Sequence, residues 1–488
     1  MKKNIIALSA IAAMVTTSYA NTEIENRLSQ MEKKISKLEK KLKKANKKLN
    51  QVKAHDAKDN IKWNVDFRTA MDSIHYKHAS GKTSSNPDLL TNRLWLGMAF
   101  APSDNVLFKG KLSYFKAYGD TANHSQSNTN PGYANFDWVT NENATDNTLK
   151  VKEAYWLYKN DTFFDTDVAW TFSVGRRPST DGLGINMREG MKDNSPLSHT
   201  VNVEFDGLSS KFNLDRLTGV EGMWWKLCTG RGLTNAEPRF QQDGSSYAAA
   251  DNQTHDVNMY GFIFVPYDNG QYSVHTNWAK AENLIGFNNT NIGDQQTDAS
   301  KAKFSNSGDI TLFTTMVKAD GLGDGINDFL DDTKVFASWA QSKTSPNQTQ
   351  AEGGMLGSAD SQTGNSFWIG ANFPCLLTDD GRIGIEWNKG SKYWRSITYG
   401  EDTMAGSKIA ARGTAWEIYY DKPLTKSLKF NARYTHIKYD YTGSQAFFGA
   451  DGTPMTIAEA KANFTADPKN PDVVEEASDL RVSISYRF

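Results

Sequence analysis

Few residue sets in this chain have the type and spacing that chemistry requires. The clearest is acidic. Asp320, Asp324, Asp328 and Asp331 place oxygen ligands at positions 1, 5, 9 and 12 of one segment, with Gly325 at position 6. That is the spacing of a calcium loop, in which carboxylates and carbonyls surround a sharp glycine turn. Against it, position 3 is Leu322, position 12 is Asp rather than the longer Glu, and no flanking helices are predicted, so a plain acidic turn accounts for the same residues. His75 and His78 have no third ligand nearby and read as solvated histidines in a loop. The cysteines, Cys228 and Cys375, are too few for a disulfide framework. No nucleophile-elbow, zinc or phosphate-loop spacing occurs. Neither an enzyme nor a nucleic-acid partner is expected, and no cofactor beyond the calcium candidate.

The remaining charged residues gain meaning from the elements that carry them. From Ile61 onward the hydrophobic period is 2. In 61–69 every odd position is apolar or β-branched and every even one polar, and the alternation returns at 94–100, 168–174 and 383–387. Sixteen strands are predicted: 61–73, 91–101, 105–118, 148–160, 166–176, 202–214, 218–229, 255–266, 270–281, 308–319, 333–343, 365–373, 381–389, 412–421, 427–441 and 479–488, with eighteen as the alternative count. The phase is ambiguous in 148–160, 255–266 and 333–343. Connections alternate long and short, starting with a long one at 74–90. Soluble sandwiches do not sort loops by parity, whereas outer-membrane barrels do. An all-β antiparallel transmembrane barrel over 61–488 follows, with both termini in the periplasm. Cys228 and Cys375 then sit at levels about 30 Å apart, too far to pair.

With apolar residues facing lipid, Lys62, Arg68, Arg93, Lys109, Lys111, Lys429, Arg433, Arg481 and Arg487 face the lumen. Asp66, Asp72, Glu386, Glu417 and Asp479 face it too. The first three and last two strands adjoin when the barrel closes, so the bases fall on one wall and a weak anion preference is expected.

Ahead of the barrel, 1–20 reads as a signal peptide: Lys2 and Lys3, an apolar core from Ile5 to Val15, and small residues before a cut after Ala20. In 21–53, Ile24, Leu28, Met31, Ile35, Leu38, Leu42, Ala45, Leu49 and Val52 alternate spacings of four and three, a coiled-coil seam. Basic g positions (Arg27, Lys34) oppose acidic e positions (Glu32, Glu39) only in parallel packing, so a parallel homo-oligomer is expected. A solvated basic helix acting as a spacer is the plainer reading. Residues 54–60 form a linker. The segment 21–60 holds 12 Lys/Arg against 6 Asp/Glu, which leaves the barrel portion net acidic.

Signal peptide, sorted loops and a final alternating strand, Leu480 to Phe488, together resemble the Gram-negative porins. Gly175 to Gly182 (GRRPSTDG) resembles a stretch of porin-like families of unassigned function in epsilon-class proteobacteria. The resemblance implies a homotrimer in outer-membrane lipid, insertion by the barrel-assembly machinery reading Phe488, and a third long loop, 177–201, folded into the lumen. That loop would carry Arg188, Glu189, Lys192 and Asp193 to a constriction, with Arg176 and Arg177 at its root. It could equally remain outside in solvent. Passive diffusion of small hydrophilic solutes or ions is the implied function. The alternative is a plugged structural barrel whose basic coiled coil binds peptidoglycan.

Overall fold

The computed structural model describes residues 61–120, 137–177, 179–238, 244, 248–250, 255–288, 304–323, 325–399, 401–446, 448–449 and 452–488, together with six positions between 31 and 42. Those six, Met31, Lys34, Ile35, Leu38, Lys41 and Leu42, are helical and exposed. The signal segment, the linker, Asp324 and the rest of the heptads lie outside the described residues.

Sixteen strands close into one antiparallel barrel: β1 (Lys62–His78), β2 (Thr83–Phe100), β3 (Val106–Ala117), β4 (Lys150–Asn160), β5 (Trp170–Arg177), β6 (Phe205–Asn213), β7 (Trp224–Leu233), β8 (Val257–Asp268), β9 (Tyr272–Phe287), β10 (Phe304–Asp320), β11 (Lys334–Pro346), β12 (Thr363–Pro374), β13 (Arg382–Gly390), β14 (Gly413–Pro423), β15 (Leu428–Tyr439) and β16 (Val474–Arg487). The seam is β1 against β16, where Val65 and Phe488 exchange both backbone bonds at 2.9 and 3.0 Å. The terminal aromatic therefore closes the ring, and the barrel sheet has no free edge.

Alternation sets the two faces. Met71, Phe108, Trp156, Leu208, Val317, Ile369, Ile385, Trp416, Leu480 and Ile484 project outward and are exposed. Alternate residues on the same strands, such as Ala70, Asp72, Ser209, Glu386, Glu417 and Arg481, are buried inside. An apolar outer band of this kind is the lipid-facing surface of a transmembrane barrel. At the short-turn end it is rimmed by aromatic contacts, including Phe163 with Trp170 at 5.3 Å and with Phe212 at 5.0 Å.

Three expectations need correction. The first outer connection is the tight turn 79–82, not 74–90: β1 continues to His78 and β2 starts at Thr83. The polar run Thr83 to Asp88 reads as loop, yet its residues 83–86 pair with 74–77, and a register shift accommodates Pro87 and Asp88. His75 and His78 therefore stand on a strand. His78 Nδ1 lies 2.8 Å from the Asp472 carbonyl. Cys228, expected at the end of the seventh strand, lies within β7, and both cysteines are free.

The ambiguous phases have physical causes. In β4 the register against β3 shifts between Lys111 and Leu112, so Lys152 is an extra residue and parity flips. On β8 and β11 the inward residues Val257, Met259, Ile263, Phe336 and Ala340 are as apolar as the outward ones, because the lumen beside them is filled with protein.

Candidate functional site in a loop-crossed lumen

Segment 179–204 folds into the lumen and crosses it. Gly184 adopts a φ of 102° and lies against the Trp368 ring, where any Cβ would collide. The turn delivers helix α1 (Ile185–Glu189), and Leu183, Ile185 and Leu197 pack with Met316, Phe336, Trp368 and Ile409. On one side the carbonyls of Glu189 and Gly190 accept from Arg487 at 3.0 and 3.3 Å. On the other, Asp193 pairs with Lys318 of β10.

A second insertion, described over 391–399 and 401–412, caps the arginine wall. Arg68 and Arg93 donate to Asp402 Oδ2 at 2.5 and 2.9 Å, and Arg481 reaches Oδ1 at 3.2 Å. The Asp402 carbonyl accepts from Arg433 and Arg481 at 3.1 and 3.3 Å. Burial alone would raise the Asp402 carboxyl, but the guanidiniums of Arg68, Arg481 and Arg93 outweigh it and hold the group well below the usual carboxylate range. Beside this knot, Arg188 bridges Glu401 at 3.1 Å and Glu417 at 3.6 Å, and Arg433 takes Glu189 at 3.2 Å. Burial opposes the Glu189 charge as well, yet Arg433 and Arg188 pull its carboxyl down to about 2. Lys408 of the same insertion lies 2.7 Å from both Glu386 and Glu417, which are register partners on β13 and β14.

The expected pore residues separate accordingly. Arg68, Arg93, Arg188, Arg433 and Arg481 do point inward, but all are buried and paired, so they present no free charge to water. The cause is the pair of inserted loops, whose carboxylates match the wall. Arg176 is engaged by Asp137 at 2.5 Å and Glu204 at 2.7 Å. Arg177 lies over the Tyr155 ring at 4.6 Å. Lys111 pairs with Glu153, and Lys429 with Asp421 at 2.9 Å. Lys62, Lys109 and Lys192 are exposed. Of the calcium candidates, Asp320 is held by Lys334 at 2.8 Å, while Asp328 and Asp331 lie in a short helix capped by Asn327. Among the described residues no three His, Cys, Asp or Glu side chains stand together as a metal set.

Sequence reasoning missed Asp402, Glu401, Lys408, Lys152 and Glu204. The first three lie in a long loop with no periodicity. Lys152 and Glu204 meet 3.6 Å apart only because of the β4 bulge. His199 was missed as well. Its ring nitrogens bond Ser338 and Ser366 Oγ at 2.8 and 2.9 Å, and burial lowers its pKa to about 3. The unfolded imidazole protonates near pH 6.5 while the folded one does not, so stability falls as pH drops from about 6.5 toward 3. In urea titrations of His199→Gln that component of the acid loss should disappear; an unchanged slope contradicts the assignment.

Water-accessible space remains at the short-turn end. A cavity of about 420 Å³ lies between α1 and the wall, lined in part by Met187, Lys318, Lys334, Arg382, Asp421 and Lys429. Another of about 260 Å³ is lined in part by Asn194, Ser195, Lys211, Trp224, Lys226, Asp268 and His275. Together their linings hold six bases, Lys211, Lys226, Lys318, Lys334, Arg382 and Lys429, against four carboxylates, Asp193, Asp268, Asp380 and Asp421.

The model of a family described as "Protein of unknown function (DUF3373)" matches residues 83–488. No curated protein matches the chain. Similar solved folds include in-vitro-folded OmpT of Vibrio cholerae, at 10% identity over 88% of this chain and 97% of that one, TM-score 0.44. The high-pH structure of Pseudomonas putida OprB has 11% identity over 90% and 96%, TM-score 0.46. Salmonella typhi OmpF in complex with daunomycin has 11% identity over 87% and 97%, TM-score 0.43.

Proposed function

The chain belongs to the DUF3373 family, and from that premise we propose that it is an outer-membrane porin: a narrow channel for passive diffusion of small hydrophilic solutes or ions, with a weak anion preference. The carrying observation is the insertion 179–204, which crosses a closed barrel while leaving polar, water-accessible space beside it. The selectivity comes from the six bases and four carboxylates of that space rather than from the capped arginine wall. Reversal potentials across planar bilayers under a KCl gradient should shift modestly toward chloride. Clear cation selectivity overturns the anion preference.

The N-terminal seam, of which Met31, Ile35, Leu38 and Leu42 are helical and exposed, supports a parallel homo-oligomer in the periplasm, a trimer by porin habit. Cross-linking that finds only monomer at every concentration of a 21–60 peptide removes that part. A second reading, a structural barrel tethered to peptidoglycan by its basic segment, is favoured by the dense packing around Asp402 and Lys408. Peptidoglycan pull-down by a protein without conductance would establish it in place of the first.

A further inference from the structure

Among the described residues the lumen wall carries four directly opposed pairs of like charge. Arg68–Arg93 and Arg433–Arg481 meet Asp402, Asp72 and Glu189, and the Lys408 ammonium lies between Glu386 and Glu417. Lys211 and Lys226, register partners on β6 and β7, are the fourth. Both lysines line the 260 Å³ cavity. Among the described residues no carboxylate lies within ion-pair distance of either. The Lys211 ammonium sits 4.2 Å from the Trp224 ring centre, and Lys226 donates to Ser195 Oγ at 3.2 Å, both neutral partners. Like charges directly opposite on neighbouring strands are destabilising, so this pair calls for a counter-charge just as the glutamates do.

Of the carboxylates lining the same cavity, Asp193 pairs with Lys318 and accepts from Asn186 Nδ2 at 2.8 Å, while Asp268, whose Oδ1 accepts from the Gly270 amide at 2.9 Å, acts on Lys211 only from beyond ion-pair distance. The rest of the lining offers an apolar flank in Leu183, Leu197 and Ile263. An apolar flank suits carbon rather than a bare inorganic ion.

We propose that Lys211 and Lys226 form a binding site for a small organic dicarboxylate, which supplies from outside the counter-charge that Lys408 supplies to the glutamates from within. Its part in permeation rests on the channel reading above; its occupancy does not. Isothermal titration of succinate into the full chain in lipid nanodiscs should give saturable binding. Lys226→Gln should weaken it by about tenfold or more, and Lys226→Arg should retain it. Butane-1,4-diol, of the same length without charge, should not bind. Heat-modifiable gel mobility checks that each variant is folded, and removing one of two opposed charges should cost no stability. No succinate binding, or binding undiminished in the Lys211→Gln/Lys226→Gln double variant, overturns the site. Inorganic phosphate binding as tightly as succinate overturns the organic class. Succinate binding by a protein that conducts nothing leaves the site standing and removes only the channel.

Discussion

Asp402→Ala is expected to destabilise the barrel and its inserted loops by about 3–5 kcal/mol, the cost of removing one partner from a buried ion pair. Among the described residues Asp402 is the only carboxylate within ion-pair distance of Arg68. Arg481 keeps Asp72 at 2.6 Å, and Arg93 keeps only Asp66 at 3.8 Å. Three buried guanidiniums would therefore share less than their charge in counter-ions, and insertion 391–412 would lose its deepest anchor. The expected result in micelles is a large drop in the urea midpoint, with new protease cuts in 391–412. The pH dependence follows from the depressed carboxyl. Its stabilisation is present above the unfolded value near pH 4 and is lost as pH falls through the folded value. The wild-type anchor should thus hold through mild acid, and the difference between wild type and variant should shrink only well below pH 4. A variant within about 0.5 kcal/mol of wild type, the range of ordinary surface substitutions, would refute the anchor.

Lys408→Met should have an effect of similar size, about 3–5 kcal/mol at neutral pH, for the opposite reason. It leaves Glu386 and Glu417 adjacent and buried. Glu417 still has Thr435 at 2.6 Å and Arg188 at 3.6 Å, but among the described residues Glu386 retains only the Trp368 indole at 2.9 Å within bonding distance. Because a protonated carboxyl no longer repels its neighbour, the deficit should narrow as pH falls. Equilibrium unfolding at pH 7.5 and pH 5 checks this. A deficit that grows in acid would mean that Lys408 acts through packing rather than charge.

These residues also mark how far the chain can be read without its structure. The barrel was legible because one lipid-facing side stamps a period of 2 on every strand and because loop length sorts by side. That parity turns Arg68, Arg93, Arg433 and Arg481 inward, and in the structure they are buried and paired. Their partners were not legible. Asp402 and Lys408 sit in an aperiodic loop, and nothing local says that it turns into the lumen. The inward apolar residues of β8 and β11 held a partial signal: a face that should meet water but is apolar must meet protein. Read that way, Val257, Met259 and Phe336 point to a filled lumen. The Lys211–Lys226 pair required register, which a shift of one residue would have erased.

The central claim is a channel narrowed by its own loops, and single-channel recording tests it most directly. Wild-type protein in planar bilayers should conduct in small discrete steps, and Asp402→Ala, with 391–412 loosened, should conduct in larger or noisier ones. A wild type that never conducts, together with an Asp402→Ala variant that is folded and equally silent, would contradict the account and leave a sealed barrel.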